Sequence, residues 1–302
     1  MSYQIIKIPN KSYDEIEPLG TKEKFWYYDD QDGTRKLFKI GRPGTGENWA
    51  EKATSELAKL IKLPCADYEF AIWNGKEGVL SPSFVPKGTL LIHGNEILGR
   101  IKKNYPQNQF YKVREHRLRT VLAITRIRGC QLPIGYKDEI INKPIDLFLG
   151  YLMFDCWISN PDRHHENWGL VFDSSNKVFH LAPTYDHASG LGCRVSDAKR
   201  LERLKTIDNR YNVDAFVSRT KSAFFDENMH QLKTIDTVKI TAKSNPDIAR
   251  YWLNKIIKIS QREVESIFTE IPGTLISRPG YEFAVAVLEA NKKRLIETIK
   301  ND

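Results

Sequence analysis

Ser159-Asn160-Pro161-Asp162-Arg163-His164-His165-Glu166-Asn167-Trp168-Gly169 separates an apolar run, Ile145 to Phe154, from a strand-like one, Leu170-Val171-Phe172. About a dozen residues further on comes Leu181-Ala182-Pro183-Thr184-Tyr185-Asp186-His187-Ala188-Ser189. Asn176 and Lys177 supply a turn between the two, so 170–172 and 178–181 form a hairpin. A hairpin returns the chain to the end it left, which brings Asp162 and Asn167 opposite Asp186.

An Asp, an Asn five residues later and a second Asp beyond a hairpin form a set used in phosphoryl transfer. The first Asp takes the proton of an attacking hydroxyl. The Asn oxygen and the second Asp are hard ligands for Mg²⁺, which neutralises phosphate charge and needs few protein ligands. Taken singly, Asp and Asn in loops are more often turn formers and helix caps; the joint spacing carries the functional reading. The same residues resemble the HipA-like serine/threonine kinases, bacterial protein kinases with a two-lobed, eukaryotic-kinase-like fold. The pattern N-x-D-x-H-x-x-N fits at Asn160, Asp162, His164 and Asn167, and P-x-Y-D-x-x-S fits at Pro183, Tyr185, Asp186 and Ser189. The resemblance implies Asp162 as catalytic base, Asn167 and Asp186 as Mg²⁺ ligands, and His164 as a residue orienting the loop beside the bound nucleotide. It covers about residues 15–225.

The first hundred residues read as a small β-rich lobe. Phe25–Tyr28 and Leu37–Ile40 flank the turn Asp29-Asp30-Gln31-Asp32-Gly33, and Tyr68–Trp73 and Gly78–Ser81 flank Asn74-Gly75. Between these hairpins Ala50, Ala53, Leu57, Leu60 and Ile61 recur at helical spacing, predicting a helix over 49–62 capped by Asn48. Lys39 sits mid-strand between apolar residues and needs a partner; kinase logic makes it a phosphate contact paired with Glu51, with Glu47 in reserve. Gly20-Thr21-Lys22-Glu23-Lys24 resembles the family's phosphate-covering loop, where glycine lets the backbone approach an anion; Gly20, Thr21, Lys22 and Lys24 are its candidates. Pro82, Phe84 and Val85 fall where a hinge between lobes contacts adenine.

From about residue 110 the pattern is helical. Helices are expected over 112–127, from Pro144 as a buried helix with proline in its first turn, over 246–269 and over 281–298. The expected architecture is therefore α+β: an N-lobe of residues 1–100 and a helical C-lobe of residues 101–302. HipA-type toxins often carry an additional N-terminal subdomain; a phosphate loop starting by residue 20 makes this chain similar to the compact members.

Composition narrows the classes. The chain has 302 residues, 46 Lys+Arg against 38 Asp+Glu and hence a net charge of +8, with 41% hydrophobic residues. No run approaches the roughly 20 apolar residues of a membrane span, and no secretory h-region opens the chain. Cys65, Cys130, Cys156 and Cys193 form neither a CxxC pattern nor a disulfide framework, which suits a reducing cytoplasm. The basic residues are scattered without interleaved aromatics, so no nucleic-acid surface is expected. The resemblance implies ATP and Mg²⁺ as cofactors, a protein substrate with a Ser or Thr acceptor, and room for a regulatory or antitoxin partner. Hydroxyls in 189–196 and at Thr220 and Ser222 raise autophosphorylation. Three alternatives remain: a small-molecule kinase on the same core, a nucleotide-binding pseudokinase scaffold, and a metal hydrolase built on His164, His165, His180 and His187. The last lacks an HExxH spacing.

Overall fold

A computed structural model describes residues 2–9, 15–16, 23–30, 32–109 and 111–300. The N-terminal part contains β1 (Ile5–Lys7), β2 (Glu15–Ile16), β3 (Lys24–Tyr28), β4 (Arg35–Ile40), α1 (Glu47–Leu60), β5 (Glu69–Trp73) and β6 (Lys76–Pro82). Its sheet runs in the order β1-β5-β6-β4-β3-β2, antiparallel except for β1 beside β5. The two hairpins expected from the sequence are present, and both residues of the Asn74-Gly75 turn have positive φ (48° and 77°), the conformation that a tight two-residue connection requires.

The period of two along a strand decides what each face does. Phe25 opposes Phe38, and with Tyr27, Ala71, Leu80 and Ile8 these residues bury one face as a separate apolar cluster. Lys24 opposes Lys39 and Trp26 opposes Leu37 on the other face, which looks into the cleft between the lobes. Phe70 and Val79 join Ala50, Ala53 and Leu57 of α1 in the main core, so α1 lies on the cleft side of the sheet.

The remainder comprises β7 (Thr89–His93), α2 (Gly94–Ile101), α3 (Leu118–Ile124), β8 (Cys130–Gln131), α4 (Pro144–Trp157), β9 (Gly169–Asp173) and β10 (Val178–Leu181). Then follow α5 (Asp197–Lys205), α6 (Val213–Ser218), β11 (Lys221–Phe225), β12 (Gln231–Lys233), α7 (Thr234–Ala242), α8 (Pro246–Lys258), α9 (Gln261–Thr269) and α10 (Arg278–Lys300). Every residue of α4 is buried, as an all-round apolar helix demands. Gly150 lets α8 come close: a Cβ there would stand 2.6 Å from the Trp252 ring, whose Nε1 donates to the Asp146 carbonyl at 3.0 Å. β9 and β10 form the expected hairpin, flanked in a four-stranded sheet of order β7-β9-β10-β8.

Several boundaries differ from expectation for identifiable reasons. α1 starts after Gly46, not Asn48, because the Glu47 carboxylate accepts the Arg42 backbone N–H at 3.1 Å and fixes the first turn. The pattern over 112–127 yields only α3, since Lys112 takes a left-handed φ of 55°, Arg114-Glu115 form a turn and Arg117 makes an isolated bridge to Phe225. The single pattern over 246–269 is two helices, split where Ser260 and Glu263 form a capping box. α10 takes in Pro279 and Gly280 instead of following them. The change from one sheet to the other falls within 83–88, because β7 pairs with β9; the expected boundary lay near residue 100.

Candidate active site

The cleft between the two sheets is roofed by Lys24, Trp26 and Leu37, backed by Pro82, Phe84 and Val85, and floored by Asp162, Asn167, Tyr185 and Asp186. Lys39 lies at its inner end, 7% exposed. Its ammonium reaches Glu51 Oε1 at 3.2 Å, Asp186 Oδ1 at 3.3 Å and the Tyr68 hydroxyl at 3.3 Å. Burial disfavours this cation, and the Asp186 and Glu51 carboxylates more than offset it, so its pKa rises well above the ordinary lysine range. Of the two α1 candidates, Glu51 is therefore the one that meets Lys39. Its second oxygen accepts the His187 backbone N–H at 3.0 Å, which ties α1 to the segment carrying Asp186.

Asp186 has φ 59°, a left-handed conformation that Asp tolerates better than most residues. Its backbone N–H donates to the Tyr68 hydroxyl at 3.2 Å, which holds the turn. On the facing loop the Asn160 side chain accepts the Asp162 backbone N–H at 3.1 Å, and Asn167 Nδ2 donates to the Asp162 carbonyl at 2.7 Å. The Asp162 carboxylate accepts the Ser189 hydroxyl at 2.9 Å. His164 Nε2 stands 4.0 Å from the other Asp162 oxygen, and its Nδ1 accepts the Glu166 backbone N–H.

Beneath the loop lies an ion pair that the sequence reading missed. Arg163, 1% exposed, gives Nε and Nη2 to the two oxygens of Asp155 at 2.8 and 2.7 Å, and Nη1 to the Asn167 carbonyl at 2.8 Å. Nη2 also meets His187 Nε2 at 3.0 Å. Burial and the adjacent Arg163 charge drive the His187 pKa far down, so its ring is neutral and accepts at Nε2. Asn160 Nδ2 donates to Asp155 Oδ1 at 2.8 Å, which closes the network. A signal was available: Asp155 sits in a helix apolar nearly all round, where an acid must find a cation.

At the end of the cleft lined by Pro82 and Val85, Phe84 stacks on Tyr185 with centroids 5.3 Å apart. The Tyr185 hydroxyl donates to the Glu166 carbonyl at 2.8 Å, as His93 Nδ1 does at 2.9 Å. Gly20, Thr21 and Lys22 lie outside the described residues. Glu47, the reserve partner for Lys39, instead bridges Arg42 and Arg194 at the cleft mouth.

A magnesium site fits the residues present. Asn167 commits Nδ2 to the backbone, which turns its oxygen away from that bond, and Asp186 lines the same cleft, giving two hard oxygen donors and room for water. The histidines do not form a metal cluster. His180 bonds the Leu132 carbonyl, His165 the Tyr105 hydroxyl, and His187 Arg163 and Thr184. Among the described residues no three His, Cys, Asp or Glu side chains gather closely enough to hold an ion. Nor is any described helix long and apolar enough to cross a membrane.

A β-rich lobe with a buried lysine–glutamate pair, followed by a helical lobe with a D-x-x-x-x-N loop and a facing Asp, is the fold of the HipA-like serine/threonine kinases, which the chain resembles. Among the relatives, the serine/threonine-protein kinase CtkA of Helicobacter pylori is 26% identical over 150 residues, half of this chain and 44% of CtkA. The match thus spans less than half the length of that curated relative. The crystal structure of CtkA, described as a proinflammatory kinase, superposes with a TM-score of 0.74 at 19% identity, covering 99% of this chain and 98% of CtkA. Shewanella oneidensis HipA, solved with HipB and operator DNA, gives a TM-score of 0.58 at 12% identity over 96% of this chain and 67% of HipA. No protein-family model matches the chain.

Proposed function

We propose that the chain is an ATP- and Mg²⁺-dependent kinase that transfers the γ-phosphoryl group to a Ser or Thr hydroxyl of a protein. The observation that carries this reading is the convergence of Lys39, Asp162, Asn167 and Asp186 on one cleft. Lys39, held by Glu51, binds the phosphates of ATP. Pro82, Phe84 and Val85 flank the adenine, and Lys24 reaches over the phosphates from the roof. The acceptor hydroxyl approaches Asp162, which takes its proton as the new oxygen–phosphorus bond forms and the bond to ADP breaks. The Ser189 hydroxyl, 2.9 Å from Asp162, already stands at the distance such an acceptor requires. Asn167 and Asp186 would hold Mg²⁺, which would supply charge neutralisation for the phosphates. His164 borders Asp162 and keeps its loop in register.

The similarity to HipA, whose solved complex contains HipB, supports a regulatory protein partner of the antitoxin kind, and the organisms of the relatives support a bacterial setting; four unpaired cysteines fit a reducing cytoplasm. Autophosphorylation belongs to the same reading, with the hydroxyls of 189–196 as acceptors. Incubation of the purified chain with labelled ATP, Mg²⁺ and a cell lysate tests it. Label on Ser or Thr of proteins is the expected result. Label confined to small molecules would move the acceptor to that class, and no label with bound ATP would leave a nucleotide-binding scaffold.

A further inference from the structure

The mouth of the cleft carries a second charged constellation that phosphoryl transfer does not use. Glu47 is 1% exposed, yet its carboxylate meets two guanidinium groups: Arg42 Nη1 at 2.6 Å, and Arg194 through Nε and Nη2 at 3.0 Å each. The two arginine side chains are 36% and 42% exposed, and both line the cleft. Both guanidinium groups are thus held at the opening by one carboxylate, and Arg194 keeps N–H donors beyond those it gives to Glu47. A buried carboxylate fixes both planar groups, so little side-chain entropy remains to be lost when an anion arrives.

Its position follows from its neighbours. The Tyr111 hydroxyl lies beside Arg42, and the Tyr111 ring meets the His164 ring edge-on at 6.4 Å, with His164 next to Asp162. Arg194 follows Ser189, the residue bonded to Asp162, by five positions. The arginine pair therefore continues the rim on the Asp162 side, away from the hinge at Pro82–Val85, and it borders the path by which an acceptor reaches the base. We propose that Arg42 and Arg194, braced by Glu47, form an acceptor subsite for an oxyanion, the carboxylate or phosphoryl group of a residue close to the target Ser or Thr. The inference rests on the kinase reading and names its substrate class: acidic or already phosphorylated polypeptide segments.

The test uses the full chain with ATP and Mg²⁺ on four synthetic peptide pools. Each pool has a central Ser in degenerate sequence, flanked at one position in turn by Glu, phosphoserine, Ala or Lys. Wild type is expected to phosphorylate the Glu or phosphoserine pools about three- to tenfold faster than the Ala pool, the size of one charge-assisted contact at a partly exposed site. The two acidic pools separate a carboxylate from a phosphoryl ligand. Arg42→Glu with Arg194→Glu is expected to reverse the preference toward Lys, with the ATP-induced rise in melting temperature retained. If that double variant shows no cooperative melt, Arg194→Ala carries the test, with loss of the acidic preference expected and rescue by Arg194→Lys. Labelled peptides without an acidic preference in wild type, a preference that survives charge reversal, or loss of the ATP shift together with it would overturn the inference alone. No labelled peptide from wild type would overturn the kinase reading and this inference with it.

Discussion

Asp155→Ala tests whether the buried ion pair under the 160–167 loop holds the site together. Asp155 is 3% exposed and accepts three hydrogen bonds of 2.7–2.8 Å, two from Arg163 and one from Asn160. Truncation leaves the Arg163 guanidinium in the interior with no carboxylate, against a burial penalty that Asp155 at present outweighs. Breaking a buried pair in this way costs about 3–5 kcal/mol. For a chain of this size each kcal/mol lowers the melting temperature by about 2 °C, so a fall of about 6–10 °C is expected in thermal melts, with a matching loss in urea titration. Function suffers separately, because Asn160 loses its anchor while its oxygen caps the Asp162 backbone N–H. The double variant Asp155→Leu/Arg163→Met separates the two effects: removing both charges together restores much of the stability, yet phosphoryl transfer stays depressed because the loop has lost its brace. A single-variant cost below about 1 kcal/mol would refute the energetic argument. Full recovery of turnover in the double variant would refute the positioning one.

Other perturbations address the site more directly. Asp162→Asn is expected to lower the transfer rate by about 10²–10⁴-fold while the ATP-induced thermal shift persists, the signature of a lost base; wild-type turnover would remove Asp162 from the chemistry. Lys39→Ala and Asp186→Ala should each diminish the Mg²⁺-dependent thermal shift with ATP, and an unchanged shift in both would count against the nucleotide site. The pH dependence follows from His116, whose Nε2 accepts from Trp168 Nε1 at 3.0 Å while Nδ1 donates to the Ala223 carbonyl at 3.1 Å. Burial pushes its pKa from 6.5 down to about 3. Between these values the unfolded chain binds the proton and the folded one does not. The contribution of His116 is thus complete above pH 6.5 and is lost as pH falls toward 3, at about 1.4 kcal/mol per pH unit. Urea midpoints that stay flat from pH 6.5 to pH 5 would contradict this, and His116→Gln should flatten the slope by about one proton.

How much of this was legible depended on whether a residue's partner lay within reach of a local pattern. The strands from Lys24 to Ile40 and from Glu69 to Pro82 are short β-rich runs with turn residues between, so their hairpins followed from the sequence. The same holds for α4 and for the β9–β10 hairpin that brings Asp162 and Asp186 to one cleft. β8 is two residues long and is held beside β10 by its surroundings, so no local pattern could announce it. The Asp155–Arg163 pair was half visible, as an acid inside an apolar helix, but its cation belongs to a loop whose path only packing settles. Glu47 and Glu51 show the limit most sharply. They stand one helical turn apart on the same side of α1, and the sequence favours neither strongly. The choice falls to where the helix sits: Gly46 donates its N–H to the Cys193 carbonyl at 3.0 Å, and the Trp49 ring packs edge-on against Phe268. Those two contacts with the helical lobe fix α1 lengthwise so that Glu51 comes level with Lys39 and Glu47 is carried one turn outward to the arginines at the rim. A shift of α1 by one turn, about 5.4 Å, would exchange the two roles, so the seating of α1 against the helical lobe decides which of them meets Lys39 and which organises the entrance.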